Sequence, residues 1–116
     1  MTTKVEYLYR DACNYKAWQE VIFAGEITEE DKQKIANSLE DETYFIPEQV
    51  HLPLYMPWPV TEDDHCFCEL YPDLAFELTD KEPTHEGRTI HDLAQDFADQ
   101  KYWDAVTYAV VPDEEE

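Results

Sequence analysis

The excess of acidic side chains is the feature that most constrains how this chain folds. It carries 28 Asp and Glu against 8 Lys and Arg, a formal net charge of −20 on 116 residues. Self-repulsion of this size opposes a compact state, so a substantial core is needed to offset it. The chain has the residues for one, because 43% are hydrophobic, with 3 Trp, 8 Tyr and 5 Phe, whereas charged disordered chains are poor in aromatics. We therefore predict one folded domain over 1–111 and an acidic tail over 112–116.

Hydrophobic periodicity predicts a β-hairpin followed by shorter strands. Residues 4–10 alternate with a period of two, and residues 18–24 are rich in aromatic and β-branched side chains, which is typical of strands. We expect these two segments to pair antiparallel. Weaker strand patterns occur at 65–71, 74–79 and 105–111.

Two threonines mark the starts of two helices. Thr28 precedes three acidic residues, and Thr89 has Asp92 at the third helical position, so both are suited to cap a helix N-terminus. The proline-rich segment 44–60 is predicted to be irregular and to lie across the core. The predicted fold class is α+β, with a small antiparallel sheet of about four strands and two helices packed on one face.

The net charge makes mimicry of nucleic acid worth testing. B-DNA carries roughly one charge per 1.7 Å, so about 20 charges fill roughly 34 Å of duplex. A compact domain of this length also has a diameter of roughly 34 Å. The same charge disfavours direct binding to nucleic acid. At the level of composition, the chain is similar to phage-encoded DNA mimics that block restriction enzymes or CRISPR effectors.

The acidic residues of the C-terminal half supply the predicted partner-binding surface. Residues 51–116 hold 17 acidic and 3 basic residues. Asp92, Asp96 and Asp99 recur at helical spacing opposite the apolar stripe, and a rise of about 1.5 Å per residue separates them by about 4.5–6 Å. The alternative is a solvated helix face. The further partner-binding residues that we predict are Asp104, Glu62, Asp63, Asp64, Glu114, Glu115 and Glu116, with Trp103 or Trp58 as apolar anchors.

The patterns typical of metal or nucleophilic chemistry are weak. Cys66 and Cys68 alternate with His65 and Phe67, but a strand would point the two thiols away from the histidine. We predict buried reduced thiols instead, together with Cys13 in a loop. The N-terminus has no signal-peptide pattern, and no apolar run is long enough to span a membrane. We therefore expect a cytoplasmic protein without cofactor, metal or membrane partner.

Two strings resemble a pattern found in small bacterial and mobile-element proteins. The first is Arg-Asp-Ala-Cys-Asn-Tyr-Lys at 10–16, and the second is Tyr-Phe-Ile-Pro-Glu-Gln-Val-His-Leu at 44–52. Asp63, Asp64 and His65 belong to the same pattern. The resemblance covers roughly residues 5–70 and implies no site residues, since no activity is known for that group.

These observations predict a non-enzymatic inhibitor. It would bind the basic nucleic-acid-binding surface of a bacterial defence protein, a nuclease or a CRISPR effector, as a DNA mimic. One alternative is an acidic adaptor or antitoxin-like module that neutralises a basic protein without imitating DNA. A small metal-dependent or thiol enzyme is the third.

Overall fold

A single strand organises the fold. The computed structural model describes residues 1–61 and 64–109. β1 (Thr2–Arg10) pairs antiparallel with β2 (Lys16–Ala24) along its whole length. On its other side, β5 (Phe76–Thr79) pairs with the first half of β1 and β4 (Cys68–Glu69) with the second. β3 (Tyr44–Phe45) extends the sheet beyond β4, which gives the order β2-β1-β4-β3.

The predicted hairpin and both predicted helix starts are confirmed. α1 spans Glu29–Ser38 and α2 spans Ile90–Ala98. The threonine before each helix accepts a hydrogen bond from the backbone of an aspartate three residues later, and the aspartate carboxylate accepts one from the threonine backbone. Each helix N-terminus therefore satisfies two of its free N–H groups reciprocally.

The two helices cover one face of the sheet. The odd-numbered positions of β1 and β2 point toward them, because successive side chains of a strand alternate between faces. These strand side chains form one buried cluster with the apolar stripes of both helices. Fully buried members of the cluster include Val5, Tyr7, Tyr9, Phe23, Ile35, Phe45, Leu93 and Phe97. The predicted α+β class, with two helices on one face of a small antiparallel sheet, is therefore confirmed.

The proline-rich segment lies against the core through polar contacts that periodicity does not reveal. The side chain of buried Gln19 donates to the carbonyl of Tyr55 at 2.7 Å and accepts from its N–H at 2.9 Å, as a neighbouring strand would. The hydroxyl of buried Tyr7 donates to the carbonyl of Pro53. Part of this segment is regular, since it contains β3 and a 3-10 helix over Pro47–Val50.

Other strand predictions need correction. β4 and β5 are shorter than the predicted strands 65–71 and 74–79, and a turn over residues 72–74 separates them. Of the predicted strand at 105–111, residues 110 and 111 lie outside the described residues, and the prediction is wrong for residues 105–109, where the chain forms a turn over 105–108. There Asp104 accepts hydrogen bonds from the backbone and the hydroxyl of Thr107, which favours a turn over an extended chain.

The protein has a radius of gyration of 14.4 Å and principal extents of 47 × 30 × 25 Å, against the diameter of roughly 34 Å predicted for a sphere-like domain. Within the described ranges, no helix is both long and apolar enough to cross a membrane.

A buried carboxylate connects the two helices. Asp31 is the third residue of α1, and its carboxylate belongs to the capping pair with Thr28. It also contacts His91 of α2, with His91 Nδ1 and Asp31 Oδ2 2.6 Å apart. Desolvation alone would raise the pKa of Asp31, but hydrogen bonds from the Thr28 backbone, His91 and the Thr28 hydroxyl outweigh it, so the pKa lies below 3.8. The ionised carboxylate therefore stabilises the folded state above about pH 4, and this contribution is lost as pH falls through the lowered pKa.

We expect Asp31→Asn to cost about 1 kcal/mol at neutral pH, because the charge-assisted bonds to the cap and to His91 weaken. The difference from the original protein should shrink as pH falls below 4, where Asp31 itself becomes protonated. Urea unfolding at pH 7 and at pH 3 measures both values. Equal destabilisation at the two pH values would contradict the assignment.

Candidate protein-binding surface

The predicted acidic row lies on the solvent side of α2. Asp92 and Asp99 are exposed and Asp96 is partly buried, whereas Leu93 and Phe97 face the core. The helix therefore separates its acidic and apolar faces, as the spacing predicts. A partner can reach the first and last of the three carboxylates from solvent.

Two of these carboxylates also form a hydrogen bond or an ion pair within the chain. Asp92 accepts the Thr89 backbone N–H at 2.8 Å, and this bond holds the pKa of Asp92 below its usual value. Asp96 forms an ion pair with Arg88. Asp99 accepts only a side-chain bond from Gln95 at 2.8 Å. Of the row, Asp99 is thus the residue most available to a partner.

Arg88 organises this region, although no sequence pattern predicted a role for it. Besides Asp96, its guanidinium donates to the carbonyls of Val50 at 3.1 Å and His51 at 2.8 Å. It joins α2 to the end of the 3-10 helix, where His51 has a left-handed backbone with φ of 58°. The only sequence signal was a basic residue directly before a helix cap in a strongly acidic region.

Arg88 also contacts the side of the core that faces the loop over residues 80–88. Its Nε donates to Nε2 of His85 at 3.2 Å, and its Cζ lies 5.5 Å from the centre of the Phe23 ring. Desolvation and the nearby guanidinium charge both lower the pKa of His85. A neutral imidazole is required for that bond, because Nε2 must accept.

The predicted partner-binding residue Asp64 is a structural hub. Its Oδ1 accepts the hydroxyl of buried Tyr9 at 2.6 Å and the indole N–H of Trp58 at 3.2 Å, and Oδ2 accepts the Thr61 backbone at 2.8 Å. Desolvation raises its pKa, but these bonds outweigh it and the pKa lies below the usual value. The neighbouring residues Glu62 and Asp63 lie outside the described residues.

The other predicted anchors also pack within the chain. The indole of Trp103 donates to the carbonyl of Ser38 at 2.8 Å and stacks edge-on against Phe45 and Phe97. Asp104 closes the local turn described above, and its bonds to Thr107 lower its pKa. The predicted tail residues Glu114, Glu115 and Glu116 lie outside the described residues.

Exposed carboxylates continue the α2 row at both of its ends. Glu86 lines the same hollow as Asp92 at the start of the helix. Glu40 lines a second surface pocket with Gln100 and Lys101, the two residues that follow Asp99 in the sequence. We call Glu40, Glu86, Asp92 and Asp99 the α2 acidic surface; all four are exposed. Compared with the predicted set, it leaves out Asp64, Asp96 and Asp104, which are partly buried.

The cysteine and histidine string follows the predicted strand-like alternation. Cys66 and Cys68 are buried free thiols, and burial raises the pKa of both. His65 faces elsewhere, because Nδ1 accepts the Phe67 N–H at 3.1 Å and Nε2 lies 2.7 Å from the carbonyl of Arg10. In the part of the chain that the structure describes, no group of three or more His, Cys, Asp or Glu residues is arranged to hold a metal ion.

Comparison with known proteins adds no relative to these observations. No protein-family model, no curated protein and no solved structure matches the chain.

Proposed function

We propose that this protein is an acidic binding module that occupies the basic nucleic-acid-binding surface of a partner protein. The observation that carries the proposal is the excess of acidic over basic side chains, most of it at the surface. The described ranges contain 22 of the 28 acidic residues and all 8 basic ones, a net charge of −14. A surface with this excess of negative charge is complementary to the basic surfaces that bind the phosphates of nucleic acid.

Most of the exposed carboxylates form no ion pair within the described ranges. Five of the basic residues, Lys4, Arg10, Lys32, Lys34 and Arg88, form ion pairs with acidic side chains. Fifteen of the described acidic residues are exposed, and four of these, Glu26, Glu29, Glu30 and Glu77, are ion-paired. Complementary charge of this kind accelerates association with a basic surface and makes it sensitive to salt.

The most specific form of the proposal is a DNA mimic directed at a bacterial defence nuclease or CRISPR effector. The α2 acidic surface would take the place of part of a phosphate backbone. An adaptor that neutralises a basic protein without imitating DNA is the second candidate. It is favoured by the local bonds of Asp92, Asp96 and Asp104, which orient three carboxylates for the fold and not for a repeating backbone.

Competition with DNA separates the two candidates. A partner is captured from a lysate of bacteria that carry restriction and CRISPR systems, eluted with salt and purified. Its complex with a labelled duplex of about ten base pairs, the length that carries about 20 phosphate charges, is then titrated with this protein. A DNA mimic displaces the duplex; simultaneous binding of DNA and this protein rules mimicry out and leaves the adaptor.

A charge reversal tests which surface binds. We expect Asp99→Lys to weaken the complex about tenfold at low salt, because a cation replaces an exposed anion in the α2 acidic surface. The substitution is compatible with folding, since a cation at a helix C-terminus is favourable. Asp73→Lys, an equal charge change at an exposed turn position outside this surface, is the matched control. Equal losses for the two variants would show that only the net charge matters.

A further inference from the structure

The N-terminal half of β2 presents an open sheet edge. β1 is the only strand that pairs with β2 in the described sheet, so the other side of β2 has no strand neighbour. Ile22 shows which residues point that way, because its N–H bonds to the Thr84 hydroxyl and its carbonyl accepts the Thr84 N–H. Backbone direction alternates along a strand, so the N–H and C=O groups of Lys16, Trp18 and Glu20 also point outward.

The open stretch is short and bounded at both ends. Thr84 covers Ile22, and Ala24 bridges to Thr89, so the second half of the edge is closed. Before Lys16 the chain turns back toward β1. The open stretch is therefore residues 16–20, and Trp18 lies at its centre.

In the described part of the chain, three side chains along this edge are exposed apolar or unpaired charged groups. Trp18 is 62% exposed on the sheet face opposite the helices. Lys16 lies directly across from Arg10, and Glu20 directly across from Glu6, so the hairpin carries two pairs of like charge. Such cross-strand pairs are unfavourable. Arg10 and Glu6 have opposite charges at Glu69 and Lys4, but within the described ranges Lys16 and Glu20 have none.

We propose that this edge binds a second copy of the chain, with the two β2 strands antiparallel and Trp18 on the two-fold axis. In this register Lys16 lies opposite Glu20 of the partner subunit, and Glu20 lies opposite the partner subunit's Lys16. Both unpaired charges then face an opposite charge, and the outward backbone groups of the three residues pair across the axis. The two five-stranded sheets become one continuous sheet.

Registers of the two β2 strands other than the one with Trp18 on the axis are less favourable. A shift by one residue would place outward backbone groups opposite inward ones. A shift by two in one direction would push Ile22, which is already covered by Thr84, into the pairing. A shift by two in the other direction would place Glu20 opposite Asn14, which precedes β2 and has a left-handed backbone with φ of 70°. Because a pairing of five residues is smaller than a standard interface and two acidic copies repel each other, we expect a dissociation constant in the micromolar range.

Charge exchange across the axis tests the proposal with the full chain. Sedimentation equilibrium at about 5–500 µM and moderate salt should show the mass rising from 13.7 kDa toward twice that value. Lys16→Glu and Glu20→Lys should each weaken the dimer at least tenfold, because each places like charges opposite one another. The double variant restores opposite charges, and its dissociation constant should return to within about threefold of the original.

Two features keep this test decisive. Each single substitution replaces a like-charge pair within the hairpin by an opposite pair, so neither is expected to impair folding, and circular dichroism checks this. The two substitutions also change the net charge in opposite directions, so general repulsion does not explain a loss in both. A mass that stays at 13.7 kDa throughout, single variants that dimerise as before, or a double variant as weak as the single ones would each overturn the proposal.

Discussion

Replacing Arg88 by alanine should lower the free energy of unfolding by about 2–3 kcal/mol, the largest effect we expect for any polar side chain of this protein. The guanidinium holds four separate parts of the chain together: the loop over residues 80–88, α2, the end of the 3-10 helix and the Phe23 side of the core. Its side chain is only 17% exposed. Alanine leaves the carboxylate of Asp96 and the carbonyls of Val50 and His51 without their donor.

Two further substitutions make this result interpretable. Arg88→Lys keeps the charge but not the planar fork of donors, so it should recover less than half of the loss. Lys32→Ala removes an exposed ion pair with Glu29 and should change stability by no more than about 0.5 kcal/mol. Urea denaturation with unchanged slope measures all three. If Arg88→Ala were no more harmful than Lys32→Ala, the guanidinium would not organise this region.

Asp64→Ala should cost about 2 kcal/mol, although Asp64 is one of the predicted partner-binding residues. Its carboxylate accepts three hydrogen bonds, and one donor is the hydroxyl of Tyr9, a side chain with no exposed surface. Alanine leaves that hydroxyl without its carboxylate acceptor and releases the Thr61 backbone and the Trp58 indole. Asp73→Ala, at an exposed turn position, serves as the control and should be nearly neutral.

A double-mutant cycle with Tyr9→Phe isolates the central bond of this hub. Once the hydroxyl is absent, Asp64→Ala should cost at least about 1 kcal/mol less than in the original protein, because residues in one hydrogen-bond network are not additive. Additive losses would show that the two groups act independently. If instead Asp64→Ala left stability unchanged and weakened partner binding, the original prediction for this residue would be restored.

The predictions succeeded where periodicity or capping carries the information. The alternation of Val5, Tyr7 and Tyr9 identified β1, and the threonine caps located both helices, because these signals are local. The short strands were overestimated, since a two-residue strand such as Cys68–Glu69 is specified by its neighbours in the sheet and not by its own pattern.

The candidate site was harder to predict because the sequence does not reveal which carboxylates already have partners. Asp96 and Asp99 look equivalent on a helical projection, yet Arg88, eight residues before Asp96, pairs with it and leaves Asp99 exposed. Asp64 and Asp73 both precede short strands, but only Asp64 lies beneath Tyr9 and Trp58. These differences arise from long-range contacts, which the spacing of acidic residues along the sequence does not reveal.

The division of one side of β1 between β5 and β4 has a consequence for how fast the chain folds. The β1–β2 hairpin closes through a short turn and forms early, on a timescale of about 1–10 µs for hairpins in general. The remaining edge of β1 waits for segments far along the chain, since Thr2 pairs with Thr79 and Leu8 with Glu69. Loops of that length must close, at a cost in chain entropy, before the contacts between β1 and these segments stabilise the sheet. This requirement slows folding. During synthesis the first strand therefore leaves the ribosome with one edge unpaired until its distant partners follow, and the dense negative charge disfavours aggregation through such an edge.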